Sequence, residues 1–236
     1  MIYRGMTREG LPMSSVKRTA EALIPGQQLT REEFLRRWEG IPELKRAELI
    51  EGVVYMPSPQ SAGNGWMEIR VNCWLGTYVA FTPGCDAGTQ GTWLMLQSAP
   101  QPDSYLWILP ACGGQSGLKG KYHFGSPELA AEVCLSSRVY DLGAKKELYR
   151  KAGVQEYVAV LLKEKEIRWH RLVRGAYELR TPIGRGIFRS EQFPGLWLDG
   201  PKLLSGDIAG VLKTLKRGLK SPAHAQFVAE LARGER

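Results

Sequence analysis

Histidine and cysteine are scarce in this chain of 236 residues, which has three of the first and four of the second. His123, His170 and His224 stand apart, with no HxxxH or HNH-like grouping, and read as surface or structural residues. Cys73, Cys85, Cys112 and Cys134 form no CxxC pair. That pattern argues against a zinc site or a disulfide framework, and reduced thiols in a cytoplasmic protein are expected. Long apolar runs are missing too. No stretch reaches the roughly 18 apolar residues of a membrane-spanning helix, and the first residues lack the apolar region of a secretory signal. There is no P-loop, no dinucleotide fingerprint, no internal repeat and no low-complexity tract. Ser136-Ser137 has no histidine base nearby, so it reads as a turn into a helix rather than a nucleophile.

What is present is enough apolar material, 43% of residues, for one domain with short additions. Its expected division is a flexible N-terminal arm over 1–28, a core domain over 29–200 and a helical extension over 201–236. The net charge of +8 suits a polyanionic partner. Part of it lies in Lys213, Lys216, Arg217 and Lys220, which read most simply as a solvated helix face.

Thr30, with Glu33 three residues on, is a capping box opening a helix through Phe34 and Trp38 that Pro42 ends. Residues 47–56 read as a hairpin turning at Glu51-Gly52, with Glu48, Ile50 and Val54 roughly on one face. The spacing of Ile69, Cys73, Trp74 and Tyr78 predicts an amphipathic helix over 66–81, stopped at Pro83-Gly84. Strands are expected at 92–96 and 104–109, and a flexible loop at 112–120. An apolar strand at 129–134 leads through Asp141, in N-cap position, to a helix closing at Gly153, and a strand at 156–162 follows at once. Strands near 167–172 and 177–180 and helices over 201–219 and 222–233 complete an α+β (α/β) chain with a mixed sheet. Trp66, Trp74, Tyr78, Trp93, Trp107 and Trp169 read as core rather than as base-stacking platforms.

Three residues conflict with this pattern. Glu132 interrupts an apolar strand, Asp103 stands behind a proline at the mouth of another, and Lys145 lies inside the apolar stripe of its helix. A buried carboxylate must be paired, hydrogen-bonded or metal-bound. If Glu48, Asp103 and Glu132 converged to about 4 Å, each like pair would cost about 4 kcal/mol at an effective dielectric of about 20, and a hard cation such as Mg²⁺ would offset it. The plain alternative is an edge-strand Glu132 facing water and an Asp103 that caps a turn. An inward lysine snorkels or pairs with an acid, and Glu132 is the nearest one. Carboxylates with one lysine are what metal-assisted phosphodiester hydrolysis requires.

Pro102-Asp103, Glu132-Val133 and the run SSRVYDLGAKKELYRKAGVQEY together resemble the Uma-two family of restriction endonucleases, within the PD-(D/E)XK nuclease superfamily. AELIEGVVYMPSP at 47–59 and FPGLWLD at 193–199 are similar to that family's opening and closing segments. The resemblance implies a restriction-endonuclease-like core, a central mixed sheet flanked by helices. It implies Asp103 and Glu132 as ligands of Mg²⁺ or Mn²⁺, Glu48 as an assisting acid and Lys145 as the catalytic lysine, acting on DNA, with a homodimer as the default. The superfamily's usual lysine position, two after the glutamate, holds Cys134 here, and the family's lysine on the following helix corresponds to Lys145. A second departure is Gln60-Ser61-Ala62-Gly63-Asn64, where the family often has a histidine. The rival reading is a catalytically silent nucleic-acid-binding or scaffolding module of the same fold; a third is a hydrolase of smaller phosphodiesters.

Overall fold

Successive side chains of a strand point to opposite faces of its sheet, and the strand Leu129–Cys134 is buried on both. Leu129, Ala131 and Val133 join one core cluster, while Ala130 and Cys134 join a second on the other face. Glu132 shares the second face by parity. The computed structural model describes residues 21–134, except 58 and 60, and 141–235. The arm expected over 1–28 therefore lies outside the described residues as far as position 20, as does the turn expected at 136–137.

The chain opens with α1 (Arg31–Glu39), whose N-cap Thr30 accepts from Glu33 N. Next come the hairpin β1 (Glu48–Ile50) and β2 (Val53–Tyr55), then the long helix α2 (Ala62–Ala80). Strands β3 (Cys85–Gly88), β4 (Trp93–Leu94) and β5 (Ser104–Ile108) follow. After β6 (Gly117–Lys119) and β7 (Tyr122–Phe124) comes β8, the strand Leu129–Cys134. A π-helical turn, Asp141–Lys145, runs into α3 (Lys146–Ala152). Three strands follow: β9 (Glu156–Leu161), β10 (Glu166–Val173) and β11 (Ala176–Leu179). The hairpin β12 (Ile187–Arg189) and β13 (Trp197–Asp199) leads to α4 (Gly200–Ser205), α5 (Ile208–Leu219) and α6 (Pro222–Arg233).

The central sheet has the order β11-β10-β9-β8-β5-β3. Among the described residues of this sheet only β8 and β9 run parallel, as the helical crossover between them requires, and its other pairs are antiparallel. One face is covered by α2 and the C-terminal helices, with Trp74, Tyr78, Trp169, Val211 and Leu215 in its core. The other is covered by α3 and by the small sheet β4-β7-β6, with Trp93, Trp107, Leu148 and Tyr149. Each large apolar side chain so buried contributes about 1.5–3 kcal/mol. Among the described residues no helix is long and apolar enough to cross a membrane.

Several local expectations need correction. The two-residue turn has positive φ at both Glu51 and Gly52, the primed geometry of a tight hairpin. It sets Leu49 opposite Val54, so Val54 lies on the face away from Glu48 and Ile50. In α2 the buried stripe is Met67, Val71, Trp74, Leu75 and Tyr78, whereas Trp66, Ile69 and Cys73 are exposed. The helix carries apolar residues on two faces, and only tertiary packing chooses between them. The strand expected at 92–96 ends at Leu94, because Met95 closes a turn with Ser98. Part of the loop expected at 112–120 pairs as the β6–β7 hairpin. The helix expected over 201–219 breaks at Gly206, whose positive φ ends α4 before Asp207 caps α5.

Candidate active site

Lys145 ends the π-helical turn and is 3% exposed. The turn carries its side chain under the hairpin strand β1 and onto the β8 face that bears Glu132. Its ammonium lies 2.7 Å from Glu132 Oε1 and 3.1 Å from Glu48 Oε1. A longer contact of 3.4 Å reaches the carbonyl of Gln101. Both carboxylates are buried, Glu48 at 6% exposure and Glu132 at 1%. A π-turn of this kind is a frequent device for placing a functional side chain within a helix.

The acids are held from several sides. Tyr149, four residues after Lys145 and hence on the same helical face, donates from its hydroxyl to Glu132 Oε1 at 2.7 Å. Burial, and then the Glu132 charge, push the Tyr149 phenol well above its ordinary range, so it stays a donor. Glu48 Oε1 accepts from Gln101 N at 2.6 Å. The segment before β5 is tied to β1 by the reciprocal backbone bonds of Leu49 and Ala99, which fix Gln101 against the hairpin. Gln101 also donates through its side-chain amide to Thr92 Oγ1 at 3.1 Å.

Asp103 lies at the head of β5, beside β8. Its Oδ2 accepts from Val133 N at 2.9 Å, and its Oδ1 lies 3.7 Å from Arg46 Nη2. Of the four residues singled out in the sequence, the fold joins Glu48, Glu132 and Lys145 by direct ion pairs. It sets Asp103 one hydrogen bond away, on the residue after Glu132. Asn64, from the segment that departs from the family pattern, donates from its side chain to Val133 O at 3.4 Å, and Ser61 caps α2 by accepting from Asn64 N. Tyr149, Gln101 and Arg46 were not singled out. Tyr149 had a signal in its four-residue spacing from Lys145; the other two acquire their place through tertiary contacts.

Among the described residues no three His, Cys, Asp or Glu side chains gather closely enough to hold a metal by themselves. The cation between Glu48 and Glu132 is Lys145. Asp103 and Arg46 add a further carboxylate–cation contact beside this cluster. Mg²⁺ is commonly held by one or two carboxylates, with waters and substrate phosphates completing its shell. The hard oxygens of Asp103 and Glu132, on neighbouring strands, fit that requirement.

The three histidines are structural. His123 stacks on Trp93, with ring centroids 4.1 Å apart, and pairs with the Tyr105 hydroxyl at 3.0 Å. His170 is buried against Tyr157, and His224 pairs with Thr82 Oγ1 at 3.0 Å. Lys146, next to Lys145, is partly buried.

A mixed sheet flanked by helices, with an acid–lysine cluster beside its parallel pair, defines the class as an α+β, nuclease-like fold. A solved structure of the same fold is that of "a putative nuclease belonging to DUF820" from Anabaena variabilis, with a TM-score of 0.56 and 17% identity. The likeness covers 75% of this chain and 98% of that one, and at this identity it is a likeness of fold. No curated protein sequence matches the chain. The model of the family Uma2, described as "Putative restriction endonuclease", matches residues 31–200. The chain belongs to that family, as the motifs around Asp103, Glu132 and Lys145 led us to expect.

Proposed function

We propose that this protein is a divalent-metal-dependent endonuclease that hydrolyses DNA phosphodiester bonds. The observation that carries the reading is one buried ammonium shared by Glu132 and Glu48, at 2.7 and 3.1 Å, beside Asp103. Asp103 and Glu132 would hold Mg²⁺ or Mn²⁺. When bound, the metal supplies charge neutralisation at the phosphate and a water of lowered pKa. Lys145 directs the attacking water from its Nζ: its contact with Gln101 O, at 3.4 Å, is longer than those with Glu132 and Glu48 and is the one a water can replace. Glu48 helps keep that ammonium in place. Tyr149 holds Glu132 Oε1 through a proton it does not give up.

Cleavage of both strands of a duplex calls for two sites, and a homodimer with one site per strand is the expected assembly. Sedimentation of the purified protein tests it. The four cysteines are free thiols, in keeping with a cytoplasmic protein.

A titration of Mg²⁺ or Mn²⁺ followed by calorimetry tests the metal site. Wild type should bind one or two ions and Asp103→Ala should lose them. A silent binding module of the same fold would instead bind DNA with steep salt dependence and be indifferent to Asp103→Ala.

A further inference from the structure

Arg46 is the charged group at this site that the proposed reaction leaves without a task. It stands two residues before Glu48, and alternate residues of an extended chain share a face. Among the described residues its guanidinium makes one loose ion pair, 3.7 Å from Asp103 Oδ1, with side-chain exposures of 30% and 14%. Its Nε is buried and, among the described residues, has no hydrogen-bond partner. A guanidinium carries five donors in a rigid fork, and a buried N–H left without an acceptor is costly. So loose a contact, with an N–H spare, is poor use of an arginine as a structural partner. It is a ready arrangement for an anion with several acceptor oxygens that approaches Asp103 from solvent.

We propose that Arg46 binds a non-bridging oxygen of the phosphodiester at the cleavage site through its guanidinium, the side chain being 30% exposed. This rests on the endonuclease reading, since the phosphate is placed where that reading needs it. The loose pair with Asp103 is then a resting contact. With Asp103 holding a metal, the guanidinium would be free to donate to the phosphate instead. Arg46 would thus add a second positive group at the site besides the buried Lys145.

A purely structural role, in which Arg46 orients Asp103, makes the opposite forecast for metal binding, and that separates the two. The experiment measures binding of a short fluorescent duplex in Ca²⁺, and calorimetric Mg²⁺ binding, for wild type, Arg46→Ala, Arg46→Met and Arg46→Lys. The methionine variant retains the apolar stem should the alanine variant fold poorly. We expect about tenfold weaker duplex binding for Ala and Met, a salt slope lower by about one, partial recovery in Lys, and Mg²⁺ affinity retained or raised. Duplex binding within about twofold of wild type, or Mg²⁺ binding lost together with the arginine, overturns the proposal. Plasmid nicking by the same preparations keeps the two readings apart. Nicking that is normal in Arg46→Ala and Arg46→Met removes the phosphate contact and leaves the endonuclease. Arg46-dependent duplex binding without nicking by wild type removes the endonuclease and leaves the contact.

Discussion

Lys145 is a cation whose removal leaves two carboxylates buried and facing each other's charge. Lys145→Met should therefore cost about 3–5 kcal/mol of stability, read as a lower midpoint in urea denaturation. Tyr149→Phe removes one donor to a charged acceptor and should cost about 2 kcal/mol, with Lys145 still holding the same oxygen. A third residue makes a pH prediction. Burial, and then the Lys146 charge, lower the pKa of His170 from 6.5 to about 4. Below pH 6.5 the unfolded chain takes up a proton that the folded chain refuses, so stability falls as pH drops from about 6.5 towards 4. His170→Phe, which keeps the stacking on Tyr157 and removes a buried Nδ1 with no hydrogen-bond partner among the described residues, should flatten that decline in denaturation at stepped pH. At this scale the sequence was legible where chemistry broke a pattern. Glu132 in an apolar strand and Lys145 in an apolar stripe announced themselves. Tyr149 did not, because an aromatic on a buried stripe reads as core, and Arg46 did not, because an arginine in a polar stretch breaks nothing.

The element that positions the site is the passage from β8 through the π-turn and α3 into the parallel partner β9. It ends α3 at Gly153, which has φ of +83° and open space on the side where a Cβ would stand. The cost of Gly153→Ala should thus be limited to backbone strain, about 1 kcal/mol, measured in the same urea titration. Motifs of this passage were readable, since an apolar run, a helical stripe and a closing glycine follow in order. The neighbouring β3 was not. Cys85-Asp86-Ala87-Gly88 has neither alternation nor β-branched residues, and it is a strand only because β5 offers it an edge to pair with. The choice of α2's buried face was hidden likewise, because Ile69 and Val71 are equally apolar and only the neighbours decide which is covered.

For the whole molecule, one sheet does two things. Its first face builds the larger core with α2 and the C-terminal helices, and its second face holds the acids and lysine under the β1–β2 hairpin. The net charge of +8 is not concentrated at the acidic site, and Lys213, Lys216, Arg217 and Lys220 are exposed on α5 and at its end. Charge alone would have placed nucleic acid on that helix; the acid–lysine cluster lies on the opposite face of the sheet. The most direct test of the central claim is nicking of supercoiled plasmid in Mg²⁺ by wild type and by Asp103→Asn, which keeps an acceptor for Val133 N but not the charge. Metal-dependent catalysis at Asp103 predicts nicking by wild type that chelation abolishes and that the variant slows by at least about a hundredfold. Equal nicking by both proteins, or tight DNA binding by wild type with no nicking at all, would contradict it.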